Sequence, residues 1–132
     1  MAIDLWLEEL TVTDREYRYY WSLLDKNEQG KALRFVQATH GRRYVASHGK
    51  LRLILAEYLG MPPEKIAYAE QAFGKPVIVI EGMEHEIKFN LAHSGNKMLA
   101  AVGLDGRIGI DIEVSSSRVD GASVANICFA EA

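Results

Sequence analysis

The chain has 132 residues, of which 48% are apolar and 25% are charged, as is usual for a globular domain. Its single cysteine, Cys128, excludes an internal disulfide framework and a cysteine-built zinc site. A net charge of −3 gives no general attraction to nucleic acid or anionic membranes. No apolar run approaches the roughly 20 residues that span a bilayer, and the first residues lack a signal-peptide pattern, so a cytoplasmic location is expected.

The beginning of the chain carries the signals of a strand and a helix. In IDLWLEEL, the apolar residues Ile3, Leu5 and Leu7 recur at every second position, which predicts a half-buried strand. Thr13 and Glu16 have the spacing of a capping box, in which each residue bonds the backbone N–H of the other. A helix is therefore predicted from about residue 14 to residue 24.

Two further helices are predicted before residue 60. The segment Asp25-Lys-Asn-Glu28 has a similar, weaker capping pattern and predicts a helix that reaches about residue 35. From about His40 to Leu59, apolar side chains recur at helical spacing, and Gly60 followed by two prolines is a strong stop signal. Gly41 and Gly49 are expected to weaken this third helix by roughly 1 kcal/mol each relative to alanine.

After Pro63 the apolar residues change to a period of two, which is typical of strands. The candidate strands are IAYAE, PVIVIEG, EIKFNLA, MLAAVGL and RIGIDIE. Helices followed by a mostly antiparallel set of strands indicate an α+β fold. The tail, RVDGASVANICFAEA, is interpreted as the start of another helix.

The last two candidate strands are joined by Asp105-Gly106, a dipeptide preferred in two-residue hairpin turns. Such a hairpin places Ala100 opposite Asp111 and Met98 opposite Glu113. Alternation then puts the two acids on one face, about 6.7 Å apart along the strand. Two carboxylates at that spacing can bind a hard cation, with room for phosphate oxygens. The alternative is an open sheet face on which both acids are merely solvated.

Two turns carry candidate anion-binding groups. In FNLAHSG and the following Asn96, residues 94–96 offer backbone N–H groups suited to an oxyanion, and His93 could add a donor; alternatively, His93 simply caps a strand end. In Gly74-Lys75-Pro76, the lysine is either a solvated turn residue or a phosphate-binding point charge. A Ser-His-Asp hydrolase is disfavoured, because Ser94 adjoins His93 and lies on no strand-to-helix elbow.

Positive charge is concentrated in one stretch of an otherwise acidic chain, which suggests one localised anionic ligand. These residues are Lys31, Arg34, Arg42, Arg43, Lys50 and Arg52. The alternative is a solvated helix face. Because Arg42 and Arg43 are followed by the apolar Tyr44 and Val45, at least one arginine is expected near packed structure.

The order of these segments, a basic helix, then GKP, FNLAHSG and GIDIE, resembles the N-terminal half of the Sfp-type 4′-phosphopantetheinyl transferases. The resemblance extends from about Lys31 to Glu113, and the FN-x-x-HS and G-x-DIE elements are its most distinctive part. It implies one half of a pseudo-two-fold α+β protein, with helices packed on a small, mostly antiparallel sheet. In that family coenzyme A binds between the halves, Mg²⁺ bridges its pyrophosphate, and the phosphopantetheine arm is transferred to a carrier-protein serine.

The resemblance also implies residue roles. Asp111 and Glu113 would bind Mg²⁺ and, with His93, form the catalytic set. His93 and Lys75 would contact phosphates, His93 near the ribose 3′-phosphate, and Arg43 would meet the 3′-phosphate from the helical segment. The coenzyme-binding residues implied are Lys31, Arg42, Arg43, Gly74, Lys75, Pro76, Ala92 and His93.

Two departures from the family pattern shape the expectation. Ala92 stands where the family usually has serine, so only a backbone N–H remains for phosphate there. Nothing after Glu113 matches the W-x-x-K-E-x-x-x-K segment of the second half, which supplies a third metal ligand. Residues 1–132 are therefore expected to form an N-terminal subdomain without the second catalytic half, inactive alone. Its exposed apolar surface would be covered by self-association, a partner chain or a C-terminal half.

Two other functions compete with this hypothesis. A non-catalytic module that binds coenzyme A or a nucleotide, or mediates an interaction, would keep the fold without the transfer reaction. A nucleic-acid-binding role is the third possibility, but the basic stretch is short and has little aromatic interleaving.

Overall fold

The computed structural model describes residues 3–70, 76–103, 108–116 and 123–131, and the last two segments by backbone only. The helices are α1 (Asp14–Leu23), α2 (Lys26–Leu33) and α3 (Ala38–Leu59), with a 3₁₀ turn at Pro63–Lys65. The strands are β1 (Ile3–Glu9), β2 (Ala67–Glu70), β3 (Pro76–Ile80), β4 (Met83–Glu84), β5 (Lys88–Ser94), β6 (Lys97–Gly103), β7 (Ile108–Ser116) and β8 (Ser123–Glu131). The chain divides into a helical unit, residues 9–66, and a sheet unit, residues 1–8 and 67–132. The predicted α+β class is confirmed.

The helical unit begins its first two helices as the sequence predicts. Both capping boxes form: Thr13 with Glu16 starts α1, and Asp25 with Glu28 starts α2. The third helix ends at Gly60, which adopts a left-handed φ of 64° and donates its N–H to the carbonyl of Ala56. Capping residues therefore fix the ends of all three helices except the start of α3, where Gln37 makes no side-chain cap.

The two glycines inside α3 mark close approaches to the other helices. A Cβ on Gly49 would lie 2.5 Å from the Cβ of Tyr20 in α1, and one on Gly41 would lie 2.8 Å from the carbonyl oxygen of Ala32 in α2. Any larger residue at either position would collide with a neighbouring helix. Glycine here weakens the helix locally but allows the three helices to pack.

One cluster in the core of the helical unit is bordered by aromatic side chains. Three buried residues, Leu24, Ala32 and Val45, form a cluster that draws one residue from near each helix. Partly buried aromatic side chains pack against this cluster; they are Tyr17, Tyr20, Trp21 and Tyr44. Burial of these surfaces supplies most of the favourable free energy, because short helices are marginal alone.

The sheet unit contains three small sheets. One has the order β1-β6-β5, another the order β2-β3-β4, and the third pairs β7 with β8. β6 lies in the middle of the first sheet and is almost wholly buried. Leu99 and Ala101 of β6 form a cluster with Ile3 and Ala92 from the flanking strands. This cluster lies on one face of the sheet, and the buried Met98, Ala100 and Val102 lie on the other.

Three sequence-based expectations about the sheet unit are wrong. The hairpin that would pair β6 with β7 does not form, because β6 already has β1 and β5 on its two edges. β7 pairs instead with β8, so the tail predicted as a helix is a strand over Ser123–Glu131. β-Branched and aromatic side chains in that segment suit a strand. In β1, Leu5 and Leu7 are exposed rather than half-buried, whereas Ile3, the first of the three alternating residues, packs against the Leu99 and Ala101 cluster.

Candidate functional site

The end of β5 carries the histidine singled out in the sequence. His93 is the penultimate residue of β5, is exposed, and lies opposite the fully buried Met98 of β6. The strand continues through Ser94, which pairs with Lys97, so the turn itself consists of Gly95 and Asn96. Gly95 has a φ of 58°, which a two-residue hairpin turn needs and glycine permits without strain. The predicted turn is confirmed, with its histidine on the strand beside it.

β7 brings the two predicted metal ligands to the side of β5. Cα atoms of β7 lie within 8 Å of those of β5, and also within 8 Å of β6. Asp111 is at the register position opposite Cys128, and Glu113 is opposite Asn126. The strand that holds the acids is thus next to the strand that holds His93, although the predicted hairpin register is not the reason. Their roles as metal ligands stay predictions.

The other predicted sheet-unit residues occupy two places. Pro76 is the first residue of β3, is exposed, and lies opposite Glu70 of β2. Gly74 and Lys75 lie outside the described residues. Ala92 packs its methyl group against the Leu99 and Ala101 cluster. This position, where the resemblance led us to expect a serine hydroxyl, therefore serves the sheet core in this chain.

Arg52, part of the basic segment, is an internal structural residue. Its side chain is fully buried, and its guanidinium lies 2.6 Å from Glu28 and 3.2 Å from Asp25. It also donates hydrogen bonds of 2.9 Å to the carbonyls of Pro63 and Ile66. The solvated-face interpretation is wrong for Arg52, which joins α2, α3 and the 3₁₀ turn.

Glu28 is the buried carboxylate of this network. Burial pushes its pKa upward, but hydrogen bonds from His48 and Arg52 and the Asp25 backbone outweigh burial and hold the pKa below its ordinary value. The ring of His48 stacks on Tyr44 with centroids 4.0 Å apart. Burial and the charges of Glu28 and Asp25 raise the pKa of Tyr44 to about 12, so the phenol stays neutral.

Arg42 is also engaged within the helical unit. Its guanidinium donates to the carbonyl of Val12 at 2.7 Å, lies 2.9 Å from Asp14, and stands 5.1 Å from the ring centroid of Tyr17. These contacts tie α3 to the segment where α1 begins. Its predicted contact with a 3′-phosphate stays a prediction, and any such contact would compete with this local role.

Arg43 differs from its neighbour. It is half-exposed in α3, and in the described part of the chain its side chain has no hydrogen bond or ion pair. Lys31 is exposed at the end of α2 and has its own local interaction. Of the residues predicted to meet the 3′-phosphate, Arg43 is therefore the one whose donors need no rearrangement.

A comparison with family models decides the classification. Residues 9–103 match the model described as 4′-phosphopantetheinyl transferase, N-terminal. The chain belongs to the 4′-phosphopantetheinyl transferase family. The family resemblance inferred from the motif order is thus confirmed, and the matched region includes both the helical unit and most of the strands.

Curated members of the 4′-phosphopantetheinyl transferase family are similar to this chain. It is 34% identical over 127 residues to 4′-phosphopantetheinyl transferase HetI of Nostoc sp., covering 96% of this chain and 54% of that protein. It is 27% identical over 97 residues to 4′-phosphopantetheinyl transferase gsp of Aneurinibacillus migulanus, covering 74% of this chain and 38% of that protein. The chain thus spans about half the length of these relatives, or less.

The donor chemistry of this family member suits the metal that the resemblance implies. Asp111 and Glu113 supply carboxylate oxygens, the ligands that Mg²⁺ prefers. Among the residues whose side chains the structure describes, no group of three or more His, Cys, Asp or Glu is arranged to hold a metal ion. In the same part of the chain, every helix is too short or too polar to cross a membrane.

The sequence patterns did not reveal that Glu28 and His48 form a buried network with Arg52. For Arg52, only its position in the sequence indicated burial, because it lies within the apolar run Leu51, Leu53, Ile54 and Leu55. A charged residue within such a run predicts a buried partner. Glu28 was recognised only as a helix cap, because its second role depends on contacts 24 residues away.

Proposed function

We propose that this protein takes part in Mg²⁺-dependent transfer of the 4′-phosphopantetheine group from coenzyme A to a serine of a carrier protein. Family membership supports the reaction class. The observation that carries the site is the position of β7 beside β5, which brings the segment of Asp111 and Glu113 next to that of His93. A cytoplasmic location is part of the proposal, since a single cysteine suits a reducing compartment.

The substrate explains why the site would need both carboxylates and side chains that donate hydrogen bonds to phosphate. Coenzyme A carries a pyrophosphate and a separate 3′-phosphate. Asp111 and Glu113 would hold Mg²⁺, which when bound offsets charge on the pyrophosphate. His93 and Lys75 would contact phosphate oxygens as donors, and Arg43 would bind the 3′-phosphate through its planar fork.

The reaction exchanges one phosphorus–oxygen bond for another. The serine oxygen of the carrier protein bonds the phosphorus attached to the pantetheine arm, and the bond from that phosphorus to the bridging oxygen breaks. Adenosine 3′,5′-bisphosphate leaves with the bridging oxygen, and the serine proton passes to a base. In this proposal the residues of the present chain bind and orient coenzyme A, and the chain by itself transfers little or nothing.

Calorimetric titration with coenzyme A tests the binding part of the proposal. We expect binding that strengthens when Mg²⁺ is present, and Asp111→Ala should remove that strengthening because a hard ligand is lost. Glu57→Ala is the matched control, since Glu57 is an exposed carboxylate in α3. Coenzyme A binding that ignores both Mg²⁺ and Asp111→Ala would contradict the proposed site.

A mass measurement tests the transfer itself. An apo carrier protein incubated with coenzyme A, Mg²⁺ and a protein that joins this chain to a C-terminal half should gain the mass of one phosphopantetheine. Coenzyme A binding without any gain would favour the non-catalytic module.

Burial of the exposed apolar residues of β1 by another protein surface is also part of the proposal. These residues include Leu5 and Leu7. The surface that buries them would belong to a C-terminal half, a second copy or a partner chain.

A further inference from the structure

The connection from α2 to α3 presents apolar side chains to solvent. Leu33 is 74% exposed, Phe35 is 44% exposed and Val36 is 101% exposed, all within four residues. Exposed apolar residues usually occur singly, and a contiguous group marks an interaction site. We name residues 33–37 the corner surface.

The corner surface is held in place by the helices on either side. Ala32, just before it, is buried in the core cluster, and the ring of Phe35 contacts that of Tyr44 with centroids 5.7 Å apart. Gly41 allows the first turn of α3 to approach the Ala32 carbonyl. Both ends of the segment are therefore anchored, so a partner would meet a pre-organised surface and lose little entropy in ordering it.

The charged residues from the end of α2 to Ala56 are all basic. From Lys31 to Ala56 the sequence contains no aspartate or glutamate. Two of the arginines in this stretch form ion pairs inside the helical unit, Arg42 with Asp14 and Arg52 with Glu28. Arg34 is exposed, and its side chain makes no hydrogen bond or ion pair with another described residue. The apolar corner is thus accompanied by a positive charge that the described part of the unit leaves uncompensated.

We propose that the corner surface docks an acidic carrier protein through a segment that places apolar side chains among carboxylates. The inference rests on the proposed function, which requires such an acceptor, and assigns it a surface outside the coenzyme-binding residues. Leu33 and Val36 would bury their side chains against the partner, and Arg34 would pair with a carboxylate at the rim. Complementary charge of this kind mainly raises the association rate and selects the partner.

Fluorescence anisotropy of a labelled acidic apo carrier protein, without coenzyme A, tests this docking. Replacing two exposed apolar residues together (Leu33→Ser with Val36→Ser) should weaken binding about ten-fold or more. Arg34→Gln should weaken it less and reduce its dependence on salt. Met83→Ser is the control, because Met83 is 73% exposed on the sheet unit and outside the corner surface. Thermal unfolding of each variant confirms that it folds.

Several results would overturn the docking surface. They are no binding by the unmodified chain, equal binding by the corner variants, or equal weakening by Met83→Ser. Flotation with vesicles containing anionic lipid that is lost in the corner variants would instead show a membrane-binding face. Coenzyme A titration on the same variants separates this inference from the proposed function: corner variants should retain coenzyme A binding, whereas failure of the function would appear as no coenzyme A binding in any of them.

Discussion

The helical unit buries charged side chains, whereas the candidate site residue of the sheet unit, His93, is exposed. In the helical unit, the most conspicuous charges are structural: Arg52 is fully buried against Glu28, and Arg42 bonds Val12 and Asp14. In the sheet unit, apolar strands secure the fold and His93 is exposed at the end of β5. A dense run of arginines in a sequence therefore does not by itself locate a ligand. An arginine that the fold already pairs internally, such as Arg52, is a weak candidate for a ligand contact.

Replacing Arg52 should produce the largest loss of stability. Arg52→Met leaves Glu28 buried without its main cationic partner, and we expect the free energy of unfolding to fall by about 3 to 5 kcal/mol. Urea unfolding measures the change. Arg43→Met, nine residues earlier in the same helix, should change it by no more than about 0.5 kcal/mol. Equal losses from the two variants would break the distinction between structural and available arginines.

A methyl group on Gly49 should have the next largest effect. Alanine favours a helix over glycine by about 1 kcal/mol, but a Cβ at this position meets Tyr20 at 2.5 Å. We expect the collision to prevail, so that Gly49→Ala lowers the melting temperature through a net loss of about 1 to 2 kcal/mol. Gly30→Ala is the matched control in α2, where nothing lies within 4 Å, and it should be neutral or stabilising.

Acid should remove the contribution of Glu28 to stability. Its pKa is lowered in the folded protein from an ordinary value of 4.5, so its stabilising effect is fully present above pH 4.5 and is lost as the pH falls through the lower folded pKa. The difference in unfolding free energy between the wild type and Glu28→Gln should therefore shrink below pH 4.5. A difference that stays constant from pH 7 to pH 3 would show that Glu28 acts only through packing.

His93→Ala should have the smallest effect on folding. His93 is exposed, so we expect the free energy of unfolding to change by no more than about 0.5 kcal/mol. Coenzyme A affinity should fall by a larger factor if the proposed phosphate contact is correct. Chemical unfolding and calorimetric titration of one preparation measure both. A large stability loss would place His93 among the structural residues and erase its contrast with Arg52.

Local signals in the sequence predicted most of the helical unit. The capping boxes at Thr13 and Asp25 and the stop at Gly60 depend on residues within one turn, and all three formed as predicted. The contacts of Gly49 with Tyr20 and of Glu28 with Arg52 join residues far apart in sequence. Periodicity and composition carry no information about such pairs, so both roles emerged only from the fold.

Strand pairing was harder to predict than strand position. Residues of β5, β6 and β7 were each recognised from their period of two, yet the turn dipeptide Asp105-Gly106 suggested a hairpin that the sheet excludes. A local turn preference of this kind contains no information about the pairing of β6 with β1 and β5, which occupies both edges of β6. For the candidate site, the resemblance grouped Asp111, Glu113 and His93, but the neighbouring positions of their strands, β7 and β5, were not predicted and emerged only from the fold.

The double use of Glu28 has a consequence for how the helical unit folds and opens. One carboxylate both caps the start of α2 and neutralises Arg52 in α3, and α2 has only eight residues, too few to persist alone. Fraying of α2 would therefore strip α3 of its counter-charge, which couples the two helices into one cooperative foldon. Amide protons of α2 should accordingly exchange with deuterium as slowly as those in the middle of α3, instead of at the rapid rate of an ordinary short surface helix.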